Sequence, residues 1–362
     1  MRLQPGAVIG ILGGGQLGRM LALAAADLGF DAHIYSDITD SPAARVAARA
    51  QIGAYDDGTA LTAFAAGVDV VTFEFENVPA ATAGALIAAG KIVRPPALAL
   101  AVAQDRVAEK QFFQAHGVAT TQFAAINTLE ELAPALERIG APAILKTRRM
   151  GYDGKGQARL NNAQDAATAF AAIGSGGAIL EKVAPFTCEV SVILARGHDG
   201  EIKAFDISEN RHRDGMLAAT HVPAMISAAQ ANAALEATAR IAAALDYVGV
   251  LAVEFFVMAD GTVLANEMAP RVHNSGHWTP EACITGQFEQ HIRAIAGWPL
   301  GDSTRFADVV MENVIGEDVS HWLAMAQEPA SRLRLYGKRD GRPGRKMGHL
   351  VRLLPFHASG GA

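Results

Sequence analysis

Glu254 and Glu267 carry the plainest chemistry in this sequence. They lie in "VLAVEFFVMADGTVLANEMAPR", where two strand-like runs flank Asp260-Gly261, a strong hairpin turn signal. With those two residues as the turn, Ala259 faces Thr262, Met258 faces Val263, Phe256 faces Ala265 and Glu254 faces Glu267. Two carboxylates then stand opposite one another, roughly 5 Å apart at Cβ. Like charges so placed destabilise a sheet, and a hard cation such as Mg2+ reverses the sign. The plain alternative is a pair of solvated glutamates, but Phe256, Met258 and Val263 share their face. Magnesium normally shares phosphate oxygens, so the pair points to a nucleotide triphosphate.

Upstream lies a second group of residues suited to phosphate. Lys146 ends the apolar run "AILK", and the loop after it, "GYDGKGQ", carries Gly151, Gly154 and Gly156. Glycine amides can approach phosphate closely. The loop is no Walker A motif, since no G-K-[ST] opens a helix; it reads as a flap between two strands, with an ordinary mobile hairpin as the alternative. "ILEKVAP" follows. It reads as an edge strand, or as a hinge where backbone groups of Lys182 and Val183 meet an adenine and Glu189 accepts from ribose hydroxyls.

A third motif stands at the N-terminus. In "LGGGQLGR", Gly13, Gly15 and Gly18 fit G-x-G-x-x-G between a strand and a helix. This suits a nicotinamide or flavin dinucleotide, with Asp37 at the ribose, and equally a mononucleotide phosphate at a helix N-terminus. Asp37 also reads as a turn residue ahead of a helix capped by Ser41 with Pro42 at its first position.

The elements that must position these residues alternate. "AVIGIL", "DAHIYS" and "VDVVTFEF" read as strands of a parallel sheet, with a helix from about Gln16 to Leu28 between the first two, and "KIVRPP" ends the block with two prolines. One long helix is expected from about Pro96 to His116, ended by Gly117. The chain divides into units at 1–103, 104–183 and 184–362, a size that allows each its own core. Half of the 362 residues are hydrophobic and the net charge is −6, which argues against a nucleic-acid surface. No apolar run is long enough for a membrane span and no signal peptide is evident. The two cysteines, Cys188 and Cys283, lack metal spacing and are expected as reduced thiols in a cytoplasmic protein.

Lysine strand, glycine flap, E-K-V-A hinge, ribose glutamate and paired metal glutamates, in this order, resemble the ATP-grasp superfamily. The segments "GGGQLGRM", "FEFENV", "QDRVAEK", "GYDGKGQ", "ENRHRDG", "NEMAPRVHNSGHWT" and "RPGRKMGHL" resemble more closely the N5-carboxyaminoimidazole ribonucleotide synthetase family, over nearly the whole chain. The resemblance implies an α/β (α+β) ATP-grasp fold. Its parts are an N-terminal Rossmann-like substrate domain, a small lid domain and a C-terminal mixed domain that binds ATP and magnesium. It implies that ATP phosphorylates bicarbonate to carboxyphosphate, and that 5-aminoimidazole ribonucleotide is then carboxylated in purine biosynthesis. It implies ATP contacts for Arg106, Lys146, the flap from Gly151 through Tyr152, Asp153, Gly154, Lys155 and Gly156 to Gln157, and His212. Adenosine falls to Glu181, Lys182, Val183, Ala184 and Glu189; magnesium to Glu254 and Glu267, with Asn266 at the nucleotide. Arg271, His273 and Asn274 face bicarbonate and carboxyl transfer. Gln16, Leu17, Glu76, Tyr152, Asp153, Lys338 and Arg345 hold the ribonucleotide, with Lys346 in the same basic cluster, and Asp153 orients the attacking amine. A homodimer is implied as well. Three other readings remain at this point: a related ATP-grasp phosphoribosyl ligase or transformylase, a nicotinamide oxidoreductase using the first turn, and a non-catalytic nucleotide sensor.

Overall fold

A computed structural model describes residues 2–151, 156–174 and 176–357. Its three sheets follow the periodicities of the sequence. The first is parallel, with five strands in the order Arg49–Ile52, Asp31–Ser36, Val8–Leu12, Val70–Phe73 and Ile92–Val93. Its central strands are buried on both faces, as expected of a sheet with helices packed on both sides. The helix Gln16–Asp27 leaves the carboxyl end of the first strand and packs Leu17, Met20 and Leu21 inward. No helix follows Ser41; its hydroxyl accepts from Ala44 N at 3.3 Å in a turn, so the expected cap closes a turn only.

The second sheet is antiparallel, in the order Phe123–Ile126, Ala178–Lys182, Ala143–Thr147 and Gln157–Leu160. Helices Leu129–Ile139 and Ala166–Ile173 cover it and give it a separate core around Leu132, Leu136, Leu145 and Leu180. The third sheet is a nine-stranded one in which Phe186–Arg196 pairs with Gly249–Met258, and that strand with Val263–Ala269. Its central strands alternate between two cores. Val192 and Leu194 join the core that includes Ile241 of the helix Ala228–Ala244, whereas Ile193 and Ala195 join the one that includes Ile292 of the helix Gln287–Ala296. Both cysteines are free.

The long helix expected from Pro96 to His116 is two helices, Ala97–Ala103 and Arg106–Ala115. Asp105 breaks it. Its backbone is extended, and its carboxylate accepts from Val107 N at 3.1 Å and Ala108 N at 3.2 Å, starting the second helix afresh. The same carboxylate pairs with Arg148 at 2.7 Å and Arg149 at 3.0 Å, at the base of the glycine flap.

The hairpin differs near its turn. Met258 N donates to Thr262 O at 2.8 Å and Gly261 has φ +91°, so Ala259, Asp260 and Gly261 form a three-residue loop. Val257 therefore faces Val263 and Phe255 faces Ala265, one residue off the expected register. A bulge between Glu254 and Phe255, with Asn266 as the extra residue, then restores Glu254 opposite Glu267. The two departures cancel where the chemistry lies.

Candidate active site

A cleft of about 450 Å³ lies where the three sheets meet. Sixteen of the residues expected at a site line it: Gln16, Leu17, Glu76, Arg106, Lys146, Gly151, Gln157, Glu189, His212, Glu254, Asn266, Glu267, Arg271, His273, Asn274 and Lys346. Gly156, Glu181, Lys182, Val183, Ala184, Lys338 and Arg345 do not line it. Tyr152, Asp153, Gly154 and Lys155 lie outside the described residues.

The carboxylate pair sits at the centre. Burial, then repulsion from Glu267, pushes the Glu254 carboxyl up to about 8. Glu267 moves the other way: burial opposes its ionisation, but Arg106, 2.9 Å away, outweighs it. Arg106 also donates to Gly151 O at 3.1 Å, which ties the flap's first residue to the pair. A third carboxylate, Glu109, accepts from Met268 N at 2.7 Å; burial and then the Glu267 charge raise it to about 8. Its place inside "QDRVAEK" was visible in the sequence, but its role was not.

Lys146 reaches the cleft from the lid sheet, where Glu181 holds it at 3.1 Å. The buried Lys110 holds the same carboxylate at 3.2 Å. Burial opposes ionisation of Glu181, but Lys146 and then Lys110 bring it down to about 2. The side chain expected at adenosine is thus engaged in orienting the lysine. The hinge amides have partners of their own. Lys182 N donates to Gln122 O at 2.9 Å and Val183 N to Pro142 O at 3.2 Å, so these amides are already used within the protein. Any contact with adenine there falls to other groups of the segment. Beside it, Phe186 and Phe256 stack at 4.8 Å with planes 9° apart and line the cleft, an apolar platform the sequence did not reveal. Glu189 and His212, expected at ribose and phosphate, pair with each other at 2.7 Å. Burial lowers the imidazole pKa, but the Glu189 hydrogen bond and charge raise it overall.

At the far end, Arg271 Nε donates to Glu76, which lies 195 residues earlier in the chain. Burial opposes ionisation of Glu76, yet Arg271 brings it down to about 2. His273 accepts from Ser275 N at 3.3 Å through Nδ1, which leaves the ring proton on Nε2. Nε2 is 3.7 Å from Glu254 Oε1. Burial, then Arg271, pushes His273 down to about 3, so it is a neutral donor. Gln287, a residue without sequence signal, fixes this turn: it accepts from His273 N at 2.9 Å and donates to His273 O at 2.8 Å. Both side-chain polar atoms of Asn274 are buried without a protein partner.

The basic cluster divides. Lys338 donates to Lys346 O at 2.7 Å, and burial, then Arg345, lowers it to about 8. Arg345 instead donates to Asp340 O at 3.1 Å, away from the cleft wall. The first glycine turn also changes meaning. Its Gly15 and Gly18 amides are occupied by Glu74 at 2.5 Å and 2.8 Å, so two of the amides a dinucleotide pyrophosphate would use already hold an internal anion.

Known proteins share this arrangement. Residues 7–104 match the ribonucleotide synthetase preATP-grasp domain, 111–288 the ATP-grasp domain, and 309–357 the phosphoribosylaminoimidazole carboxylase C-terminal domain. The N5-carboxyaminoimidazole ribonucleotide synthase of Brucella melitensis is 52% identical over 355 residues, 98% of each chain. The crystal structure of an ADP complex of an N5-carboxyaminoimidazole ribonucleotide synthetase, 39% identical, superposes with a TM-score of 0.94 over 97% of this chain and 93% of its own. An Aspergillus clavatus N5-carboxyaminoimidazole synthase in complex with ADP and 5-aminoimidazole ribonucleotide is 30% identical, with a TM-score of 0.91 over 97% and 94%. The chain belongs to the N5-carboxyaminoimidazole ribonucleotide synthase family, ATP-grasp ligases that convert 5-aminoimidazole ribonucleotide to its N5-carboxylated product at the expense of ATP in purine biosynthesis.

Proposed function

We propose that the cleft carries out this conversion through carboxyphosphate, with bicarbonate as the carbon source and magnesium at Glu254 and Glu267. One observation carries the proposal. Glu267 and the Arg271–His273–Asn274 group lie on one strand and the turn that follows it, and they line the same cleft. A phosphoryl group transferred beside Glu267 is therefore already next to the side chains suited to a carboxylate-like oxyanion. An intermediate quickly lost to water gains from such adjacency.

The donor set suits magnesium: two carboxylates on facing strands, one of them pushed up by burial and then by the charge of the other, with room beside them for phosphate oxygens. When bound, the ion neutralises charge on the β- and γ-phosphates and lowers the barrier to phosphoryl transfer. The protein's own groups do the rest. Lys146 and Arg106 contact the phosphates, and the Phe186–Phe256 platform takes the adenine face. A bicarbonate oxygen attacks the γ-phosphorus, giving carboxyphosphate and ADP. Arg271 and Asn274 hold the carboxylate oxygens, and His273 donates its Nε2 proton as a hydrogen bond without giving it up. Carboxyphosphate releases carbon dioxide and phosphate in the closed site, and the exocyclic amine attacks the carbon as Asp153 orients it, the amine proton passing to the released phosphate. Gln16, Leu17, Glu76 and the Lys338–Lys346 pair hold the ribonucleotide. A homodimer completes the proposal; it rests on the family resemblance, and sedimentation reads it directly.

The test is ADP release with Mg2+, bicarbonate and 5-aminoimidazole ribonucleotide omitted in turn. Full turnover needs all three. ADP release that persists unchanged without bicarbonate would contradict the route through carboxyphosphate.

A further inference from the structure

Glu74 belongs to no recognised role in the site, yet it has the most committed carboxylate in the N-terminal domain. It follows the strand Val70–Phe73 and is 7% exposed. Oε1 accepts from Gly15 N at 2.5 Å and Oε2 from Gly18 N at 2.8 Å. Those amides open the helix Gln16–Asp27, which has no capping side chain at Gly15 and no acidic residue in its first turn. Glu74 supplies both missing features from 59 residues away: an acceptor for orphan amides and a negative charge at the helix's positive end. An N–H donated to each oxygen favours the carboxylate, against burial, which pushes this carboxyl above its ordinary value.

Two of the glycines are shaped to this carboxylate, and Gly13 also needs its freedom for φ +112°. A Cβ at Gly13 would stand 2.3 Å from Glu74 Cγ, and one at Gly15 would stand 2.5 Å from Oε1. The spacing that resembles a dinucleotide fingerprint is thus a socket for an internal anion. What the socket holds in place faces the cleft. Gln16 and Leu17, between the two bonded amides, line it. Glu76, two residues beyond Glu74, pairs with Arg271, and Gln104 grips Glu76 O at 2.7 Å.

We infer that Glu74 is a positioning residue for the ribonucleotide end of the cleft: it fills the glycine turn permanently, fixing Gln16, Leu17 and Glu76 relative to one another, so that the substrate phosphate binds elsewhere. The inference rests on the proposal that the ribonucleotide binds at this end. The competing arrangement is a gate, in which the substrate phosphate displaces Glu74 and takes over the two amides.

Glu74→Ala separates them. A fixed internal anion predicts a KM for the ribonucleotide raised about tenfold or more, against less than about threefold for ATP. Added formate should recover part of the loss, by entering the vacated space between the amides. A gate predicts the reverse: a lowered ribonucleotide KM and competition by inorganic phosphate, and that result overturns the inference. Equal changes in both KM values also overturn it. Glu74→Gln offers one acceptor for two donors and should fall between wild type and Ala. If neither variant folds, the wild-type amide resonances of Gly15 and Gly18 decide. On saturation with the ribonucleotide neither should gain a through-hydrogen-bond coupling to 31P, and such a coupling at both excludes a permanent internal anion. Wild-type ADP release that ignores the ribonucleotide would instead remove the underlying site proposal, which keeps the two failures distinct.

Discussion

Glu267 faces Glu254 across the hairpin and pairs with Arg106, so its charge is used twice. Glu267→Gln keeps the shape and removes the charge. Turnover should fall by about 100-fold or more, the scale on which losing one electrostatic stabiliser acts. The thermal midpoint should stay close to wild type, because the Arg106 pair that is lost is partly exposed and contributes little to stability. Full activity in this variant would end the magnesium assignment. Arg271 gives a second test at this scale. It holds Glu76 through Nε and donates from Nη1 to Val272 O at 3.0 Å, which a planar fork can do while still facing the cleft. Arg271→Lys keeps the charge but not the fork. Loss of a charge-assisted bond of about 1.5–3 kcal/mol should raise the bicarbonate KM or lower kcat by about 10–100-fold. Steady-state kinetics with bicarbonate varied checks this, and an unchanged kcat/KM would show that charge alone suffices.

The helix Gln287–Ala296 begins with a residue whose side chain makes the 273–277 segment rigid. Gln287 satisfies both backbone groups of His273 and also donates to His277 Nδ1 at 3.3 Å. Gln287→Leu, similar in volume, should cost about 1–3 kcal/mol through the buried groups it leaves unpaired. It should also reduce kcat more than the KM for ATP, because His273 and Asn274 lose their support while the adenine platform does not. A denaturation midpoint measured beside the two kinetic constants reads both effects. Element by element, the sequence was informative where the signal is local. Apolar alternation marked the central strands, and Asp260-Gly261 marked the hairpin. Its register depended on a loop of three residues and a bulge at Asn266, for which spacing alone has no signature. The strand Arg49–Ile52 was missed because "RAQI" is a largely exposed edge without apolar alternation. The helix break at Asp105 had a local cause, a good N-cap residue, that the continuous apolar pattern masked. Glu74, Glu109 and Gln287 were beyond reach for a different reason. Each takes its meaning from backbone groups brought to it only by the folded chain.

At the scale of the molecule, the N-terminal and C-terminal sheets are joined through buried polar contacts. His291 is the centre of one: Nδ1 accepts from Val250 N at 3.1 Å and Nε2 meets Thr72 Oγ1 at 2.8 Å. Arg94 donates to Ile295 O at 2.9 Å and Leu3 N to Ala296 O at 2.8 Å. The lid has its own core and is tied to the rest largely by the ion pairs at Asp105 and Glu181. The other two sheets form the frame. That frame is held with neutral histidines. Burial pushes His291, His273 and His349 down to about 3 and His277 well below its ordinary value. Unfolded, each would take a proton below about pH 6.5. Two carboxyls work in the opposite direction, since Glu109 and Glu254 stay protonated in the folded chain up to about 8. Four withheld protons against two retained leave the unfolded chain binding more protons between about pH 6.5 and 4.5, so stability falls as the medium is acidified. The expected slope is on the order of 1–3 kcal/mol per pH unit, set in before the carboxylates that ionise easily in the folded state, Glu76 and Glu181, begin to titrate. Urea midpoints of the ligand-free protein at pH 6.0, 5.5 and 5.0 should decrease in that order, within the window where the unfolded chain binds more protons. A flat profile across this range would mean that the histidines joining the two sheets are accessible to protons in the folded protein.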